Sequence, residues 1–141
     1  MGRINVGKVL LGGLVAGVVA NILDYAINEY LMRAEAADMV QRLNLPADVG
    51  NSVMITWILV DFIWGLLLVF TYAAIRPRFG AGPGTAVIAG FILWGAITAV
   101  FAGLMSTGIY TQQAYIKNSA LFLISTLAAS LAGAYLYKED A

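Results

Sequence analysis

The chain has 141 residues, of which 61% are hydrophobic and 11% are charged, and its mean hydropathy is +0.84. A water-soluble domain of this length carries far more polar surface, so the composition predicts a protein whose solvent is lipid. Eight basic and eight acidic residues leave no net charge, which excludes nucleic acid as a partner. Without Cys or His the chain lacks the ligands of zinc and haem sites, and no metal or cofactor is predicted.

Four apolar stretches dominate the sequence, at roughly 6–32, 51–75, 85–105 and 118–137. Each has about the 20 residues that a helix needs to cross a hydrocarbon core of ~30 Å. All three prolines fall between these stretches, at Pro46, Pro77 and Pro83. The sequence therefore predicts an all-α membrane protein, a single domain with four transmembrane helices in an antiparallel bundle.

The first loop, 33–50, is the only long connection between these stretches. Its apolar residues follow a helical i, i+3, i+4, i+7 spacing at Ala36, Met39, Val40 and Leu43. This pattern predicts a short amphipathic helix that lies along the membrane surface. A solvated connector is the alternative.

Basic residues predict the orientation, because Lys and Arg are more frequent in cytoplasmic loops. If four helices alternate, five basic residues share one side of the membrane: Arg3, Lys8, Arg76, Arg78 and Lys138. Arg33, Arg42 and Lys117 lie on the other side. We expect a multi-pass protein of the bacterial inner membrane with both termini in the cytoplasm.

Small and polar residues collect on one side of each apolar stretch at 100° per residue, and such sides favour close helix packing. The first stretch groups Gly13, Gly17, Asn21, Asp24, Tyr25 and Asn28, and the second groups Trp57, Asp61, Trp64, Gly65, Leu68 and Tyr72. In the third, Gly95, Ala99 and Gly103 are expected to face the bundle, with Ile97, Phe101 and Leu104 towards lipid or another subunit. The fourth aligns Ser119, Thr126, Ser130, Gly133 and Tyr137.

Asp24 and Asp61 are the most informative residues, because each lies well inside an apolar stretch at a similar depth. A charged Asp at a helix centre costs about 2.5–3.5 kcal/mol on the insertion scale. A protonated acid, a proton shared by the two acids, or a bound cation would relieve that cost. The candidate hydrogen-bond partners are Asn21, Asn28, Tyr25, Trp57 and Trp64. The alternative is that both acids are neutral groups that only join helices.

The segment Tyr72–Gly90, together with Ala134–Glu139, resembles uncharacterised small four-helix bacterial membrane proteins. This resemblance implies the four-helix topology and brings no activity with it. The arrangement of an acidic residue in the first helix and Trp and Tyr in the second is similar to that of small multidrug-resistance transporters. Their sequence motifs are not visible in this chain, which is also longer.

Two functions agree with these features. The first is a small transport or binding protein, a homo-oligomer, whose acidic site binds or moves a proton, a cation or a cationic solute. The alternative is a non-catalytic accessory subunit of a larger membrane complex, with the first loop as its docking surface. Enzyme activity is not favoured, since the Ser and Thr residues lack a His or an internal Lys to activate them.

Overall fold

The computed structural model describes residues 3–46, 48 and 50–138. This part of the chain folds into five α-helices: α1 (Val6–Ala26), α2 (Arg33–Arg42), α3 (Gly50–Phe79), α4 (Pro83–Ser106) and α5 (Gln112–Leu136). A π-helical turn, Ile27–Leu31, continues α1. The long helices α1, α3, α4 and α5 have the length and apolar character needed to cross a membrane. The all-helical prediction is confirmed, and the four long apolar helices suggest a multi-pass membrane protein.

Two of the helices are longer than the sequence predicted. Helix α3 continues past the predicted end at 75 and includes Pro77 in its last turn. Helix α5 begins at Gln112 instead of 118, because the Thr111 side chain accepts a hydrogen bond from the Ala114 amide at 3.1 Å. Such a capping bond satisfies an amide that the first turn otherwise leaves unpaired.

Both ends of the described chain and the α3–α4 turn meet at one end of the molecule, which we call the terminal end. The Asn5 amide donates to the Tyr137 hydroxyl at 3.3 Å, and the Gly82 amide donates to the Tyr72 hydroxyl at 3.2 Å. The rings of Tyr72 and Tyr137 meet edge to face, with centroids 5.9 Å apart. Glu139, which belongs to the segment that carries the resemblance, lies outside the described residues.

Helix α2 lies at the opposite end, which we call the α2 end. The Lys117 ammonium pairs with the Glu35 carboxylate at 2.7 Å, and the Arg42 guanidinium donates to the carbonyls of Gly108 and Ile109 at 3.1 and 3.3 Å. These bonds fasten the first loop to the α4–α5 connection.

The predicted short helix in the first loop is thus confirmed as α2. Within its predicted apolar stripe, Met39 and Val40 are half-buried, whereas Ala36 and Leu43 are exposed. Glu35 takes part in the packed face because its carboxylate reaches Lys117 on α5. An interhelical ion pair, which hydropathy does not register, therefore helps to set the rotation of α2.

The Glu35–Lys117 pair predicts an acid-sensitive α2. The hydrogen bond from Lys117 lowers the pKa of Glu35 below its ordinary value of 4.5. The pair therefore contributes fully above pH 4.5, and its contribution is lost as pH falls through the lowered pKa. A nitroxide on an Ala36→Cys variant of this cysteine-free chain should become more mobile over that acid range. Glu35→Gln should remove the pH step and Arg33→Gln should keep it; a step that persists in Glu35→Gln would contradict the assignment.

Glycines allow α1 to touch two neighbouring helices at once. A Cβ added to Gly13 would lie 2.5 Å from Leu66 Cδ2 and 2.8 Å from Leu66 Cα on α3. A Cβ added to Gly12 would lie 2.6 Å from the Gly133 carbonyl oxygen on α5. The backbones of α1, α3 and α5 are therefore in direct contact, which fixes the level at which their polar residues meet.

The expectation for α4 was wrong. Ala99 and Gly103 are exposed, and a Cβ added to Gly95 or Gly103 meets no atom within 4 Å. The large residues opposite them are half-buried, and the Trp94 indole donates to the Ser119 carbonyl at 2.9 Å. The helical period explains the result, because the residues that pack at the start of α4, Ala86 and Gly90, lie on the side of the large residues.

Candidate functional site

Asp24 on α1 and Asp61 on α3 lie close enough for their charges to interact, and both side chains are half-buried. The approach follows from the glycine contacts, since a Cβ on Gly65 would collide with the backbone of Gly13 and Gly17. One turn before Asp24, the Asn21 amide donates to the Gly17 carbonyl at 2.9 Å and to the Ile58 carbonyl on α3 at 3.3 Å. Asn21 therefore joins α1 to α3 beside the two acids.

Helix α5 adds a third polar group beside Asp24 and Asp61, which we call the acid pair. The Ser125 hydroxyl lies within hydrogen-bonding reach of the Asp24 carboxylate, and Ser125 is only 1% exposed. Asp24 thus lies between α3 and α5, with a like charge on one side and a hydroxyl donor on the other. Ser125 was not among the residues predicted from the sequence.

Neither Asp24 nor Asp61 forms an ion pair within the described part of the chain. The other acids in helices and the π turn there are all paired: Glu29 with Arg33, Asp38 with Arg42, and Glu35 with Lys117. Among the described residues no group of three or more acidic side chains is placed to hold a metal ion. The site thus offers two carboxylates within range of each other's charge, neither of which has an ion-pair partner in the described part of the chain.

A layer of large side chains closes the site towards the terminal end. The Trp64 indole donates to the Thr126 hydroxyl at 3.3 Å, and its ring packs on Phe122 with centroids 5.4 Å apart. Trp64 follows Asp61 by three residues, so this contact lies ~4.5 Å farther along α3. Beyond it Leu68 and Val69 are fully buried. These side chains therefore lie between the acid pair and the terminal end.

Towards the α2 end, by contrast, α3 has almost no neighbours. Every residue from Gly50 to Val60 is exposed, although most of them are apolar. The acid pair therefore lies at the level where α3 leaves the other helices.

In the described part of the chain, none of the five predicted partners donates a hydrogen bond to the carboxylate of Asp24 or Asp61: the Asn21 bonds go to backbone carbonyls, and the Trp64 bond goes to Thr126. Tyr25 is 66% exposed and Trp57 is 61% exposed. The Asn28 amide donates to the backbone carbonyl of Asp24 at 2.8 Å.

Comparison with family models, curated proteins and solved structures gives no match. The function proposed below therefore uses only the contacts, burial and charges of this chain.

Proposed function

We propose that the protein is a small polytopic membrane protein of the bacterial inner membrane, with its four long helices in an antiparallel bundle. Their length and apolar character support insertion. The terminal end is assigned to the cytoplasm because five of the eight basic residues belong to it or to the segments beside it. The α2 end then faces the opposite side, and α2 lies in the outer interface.

The acid pair is the proposed functional site, which binds or moves a proton, a monovalent cation or a cationic small solute. The observation that supports this proposal is the approach of Asp24 and Asp61 without an ion-pair partner among the described residues. Ionisable groups inside a membrane protein are costly and commonly mark a pathway or binding site. Ser125 positions the Asp24 carboxylate through its hydroxyl.

The proposed exchange is electrically balanced. Two adjacent carboxylates with one shared proton carry a single negative charge, and a monovalent cation can replace that proton one for one. The cation enters from the α2 end, and the proton leaves by the same side. The Trp64–Thr126 layer has to separate before either ion reaches the terminal end, so transport would require a second conformation.

Asp24→Asn and Asp61→Asn are expected to abolish cation-coupled proton release. The full chain in lipid nanodiscs would receive K⁺, Na⁺ or tetraphenylphosphonium in weak buffer, while the released protons and the infrared carboxyl band are recorded. The wild type should release about one proton per bound cation and lose its protonated carboxyl band. Asp38→Asn, which removes an exposed carboxylate of α2, is the matched control and should behave like the wild type. Unchanged cation binding in both well-folded Asn variants would refute the proposal.

A second candidate is supported by the exposed half of α3. This run of exposed, mostly apolar residues suits a contact with another subunit as well as with lipid. This favours either a homo-oligomer or a non-catalytic accessory subunit of a larger membrane complex. Pull-down from native membranes with mass spectrometry separates the two, because an accessory subunit should bring a constant set of other chains.

A further inference from the structure

Two hollows lie on the outside of the molecule where α5 begins. The first, which we call the apolar groove, has a volume of about 380 Å³ and lies between the end of α1, its π turn and α5. Its walls include Leu23, Ala26, Ile27, Leu121 and Ile124. The second, which we call the Lys117 hollow, has a volume of about 590 Å³ and is lined by Gln112, Gln113, Ile116 and Lys117.

The two hollows follow one another along the same side of α5. Lys117, Leu121 and Ile124 have i, i+4, i+7 spacing, which places them in one row on a helix. The row runs ~10 Å from a charged group at the α2 end to an apolar surface deeper in the molecule. A phospholipid has this order of polarity, with a phosphate at the interface and acyl chains below it.

Lys117 keeps donors for a ligand although it is already paired. Its ammonium has three N–H groups, and Glu35 takes one of them at 2.7 Å. The side chain remains 40% exposed, and the exposed amides of Gln112 and Gln113 stand beside it. Both glutamines belong to the first turn of α5, where the helix dipole favours a negative charge.

The apolar groove itself owes its shape to the π turn. The Met32 amide bonds to the Ile27 carbonyl, five residues back, at 2.9 Å, so α1 is widened at this level. Tyr30 stands 77% exposed at the edge of the groove, and tyrosine is common at the headgroup level of membrane proteins. An acyl chain can pack against such apolar side chains, whereas a small cation finds no polar ligand among them.

We propose that one glycerophospholipid binds along this side of α5, with an acyl chain in the apolar groove and its phosphate on Lys117 and Gln113. This site is separate from the acid pair in its ligand and in its charged group. The two sites share one residue, since Ser125 lines the groove and also reaches Asp24. Lipid occupancy would therefore stabilise the position of Ser125.

Native mass spectrometry of the full chain tests the lipid site. Delipidated protein would be incubated with phosphatidylglycerol, phosphatidylethanolamine or phosphatidylcholine, or with diacylglycerol of the same chains. One phospholipid should be retained with each headgroup, and diacylglycerol should not, because the phosphate is the recognised group. Lys117→Gln should weaken retention about tenfold, the equivalent of one charge-assisted hydrogen bond, and Lys117→Arg should restore it.

Two matched controls identify the cause of any loss. Glu35→Gln breaks the same ion pair but leaves the ammonium, so it should retain the lipid. If Glu35→Gln loses as much lipid as Lys117→Gln, the position of α2 is responsible and the phosphate contact is refuted. Ala26→Phe fills the groove and should reduce retention, whereas Ala96→Phe, at an exposed position on α4, should not.

Three other outcomes would overturn the proposal. Equal retention of diacylglycerol would show that the phosphate is not recognised. Full retention in Ala26→Phe would show that the acyl chain does not occupy the apolar groove. A dimer that Ala26→Phe converts to a monomer would assign the groove to a second copy of the chain. None of these results depends on cation binding at Asp24 and Asp61, so the lipid site and the acid pair can fail separately.

Discussion

Gly65→Ala is expected to prevent the close crossing of α1 and α3 and to destabilise the protein more than any other single methyl addition. A Cβ at this position would collide with the backbone of Gly13 and Gly17, and backbone atoms cannot move aside as a side chain can. Overpacking of a tight contact typically costs about 1–3 kcal/mol, and contact with backbone on the opposite helix favours the upper part of that range. The midpoint of thermal unfolding in detergent, followed by circular dichroism, measures the loss.

The matched controls for this substitution lie on α4. A Cβ added to Gly95 or Gly103 meets no atom within 4 Å, so Gly95→Ala and Gly103→Ala add a methyl group to a helix without a clash. Alanine is a better helix former than glycine by roughly 0.8–1.0 kcal/mol, so both variants should be neutral or slightly stabilised. If Gly95→Ala were as damaging as Gly65→Ala, this α4 face would be packed, in a second subunit or another conformation.

These contrasting glycines show what hydropathy and helical period can and cannot predict. The number and type of the long helices follow from the length of the apolar stretches, which Pro and Gly separate. The face that each helix buries does not follow from a single stripe of small residues. On α4 the stripe does not pack, since Ala99 and Gly103 are exposed and a Cβ on Gly95 would meet no atom, because Ala86 and Gly90 set the contact on the other side.

A second pattern in the sequence follows the packed faces of α1 and α5. Pairs of adjacent small or polar residues recur every four positions on both helices. They are Gly12-Gly13, Ala16-Gly17 and Ala20-Asn21 on α1, and Ser125-Thr126, Ala129-Ser130 and Gly133-Ala134 on α5. All of them except Asn21 are buried. On α4 the pairs Thr85-Ala86 and Ala89-Gly90 are buried as well, but Thr98-Ala99 and Ala102-Gly103 repeat the pattern without being buried, so the pattern alone does not decide which face packs.

The same pattern contains the group that the sequence analysis missed at the acid pair. Ser125 belongs to the first pair on α5, but the predicted face of this helix included only Thr126 from that pair. Asp24 and Asp61 were identified from their chemistry, because a carboxylate within an apolar stretch is costly whichever way the helix turns its side chain. Tyr25 and Trp57 were placed with them by helical period alone, and the structure leaves both exposed.

Trp64→Ala is the second large effect that we expect. The Trp64 side chain holds α3 against α5 through Phe122 and Thr126, directly on the terminal side of the acid pair. Truncation of a buried Trp costs ~3–5 kcal/mol in protein cores; Trp64 is half-buried, so roughly 2 kcal/mol is expected here. The same change opens the layer that separates Asp61 from the terminal end, so proton leakage through reconstituted vesicles should rise as the unfolding midpoint falls.

Trp57→Ala is the internal control, since it removes the same side chain from the same helix at a position that is 61% exposed. It should leave both the unfolding midpoint and the proton leak near the wild-type values. Trp64→Phe keeps a ring against Phe122 but removes the donor to Thr126 and the second ring of the indole. We expect it to be destabilised less than Trp64→Ala and to leave the layer closed. If Trp64→Ala destabilises the protein without any leak, the Trp64–Thr126 contact only joins the helices, and the barrier lies deeper, at Leu68 and Val69.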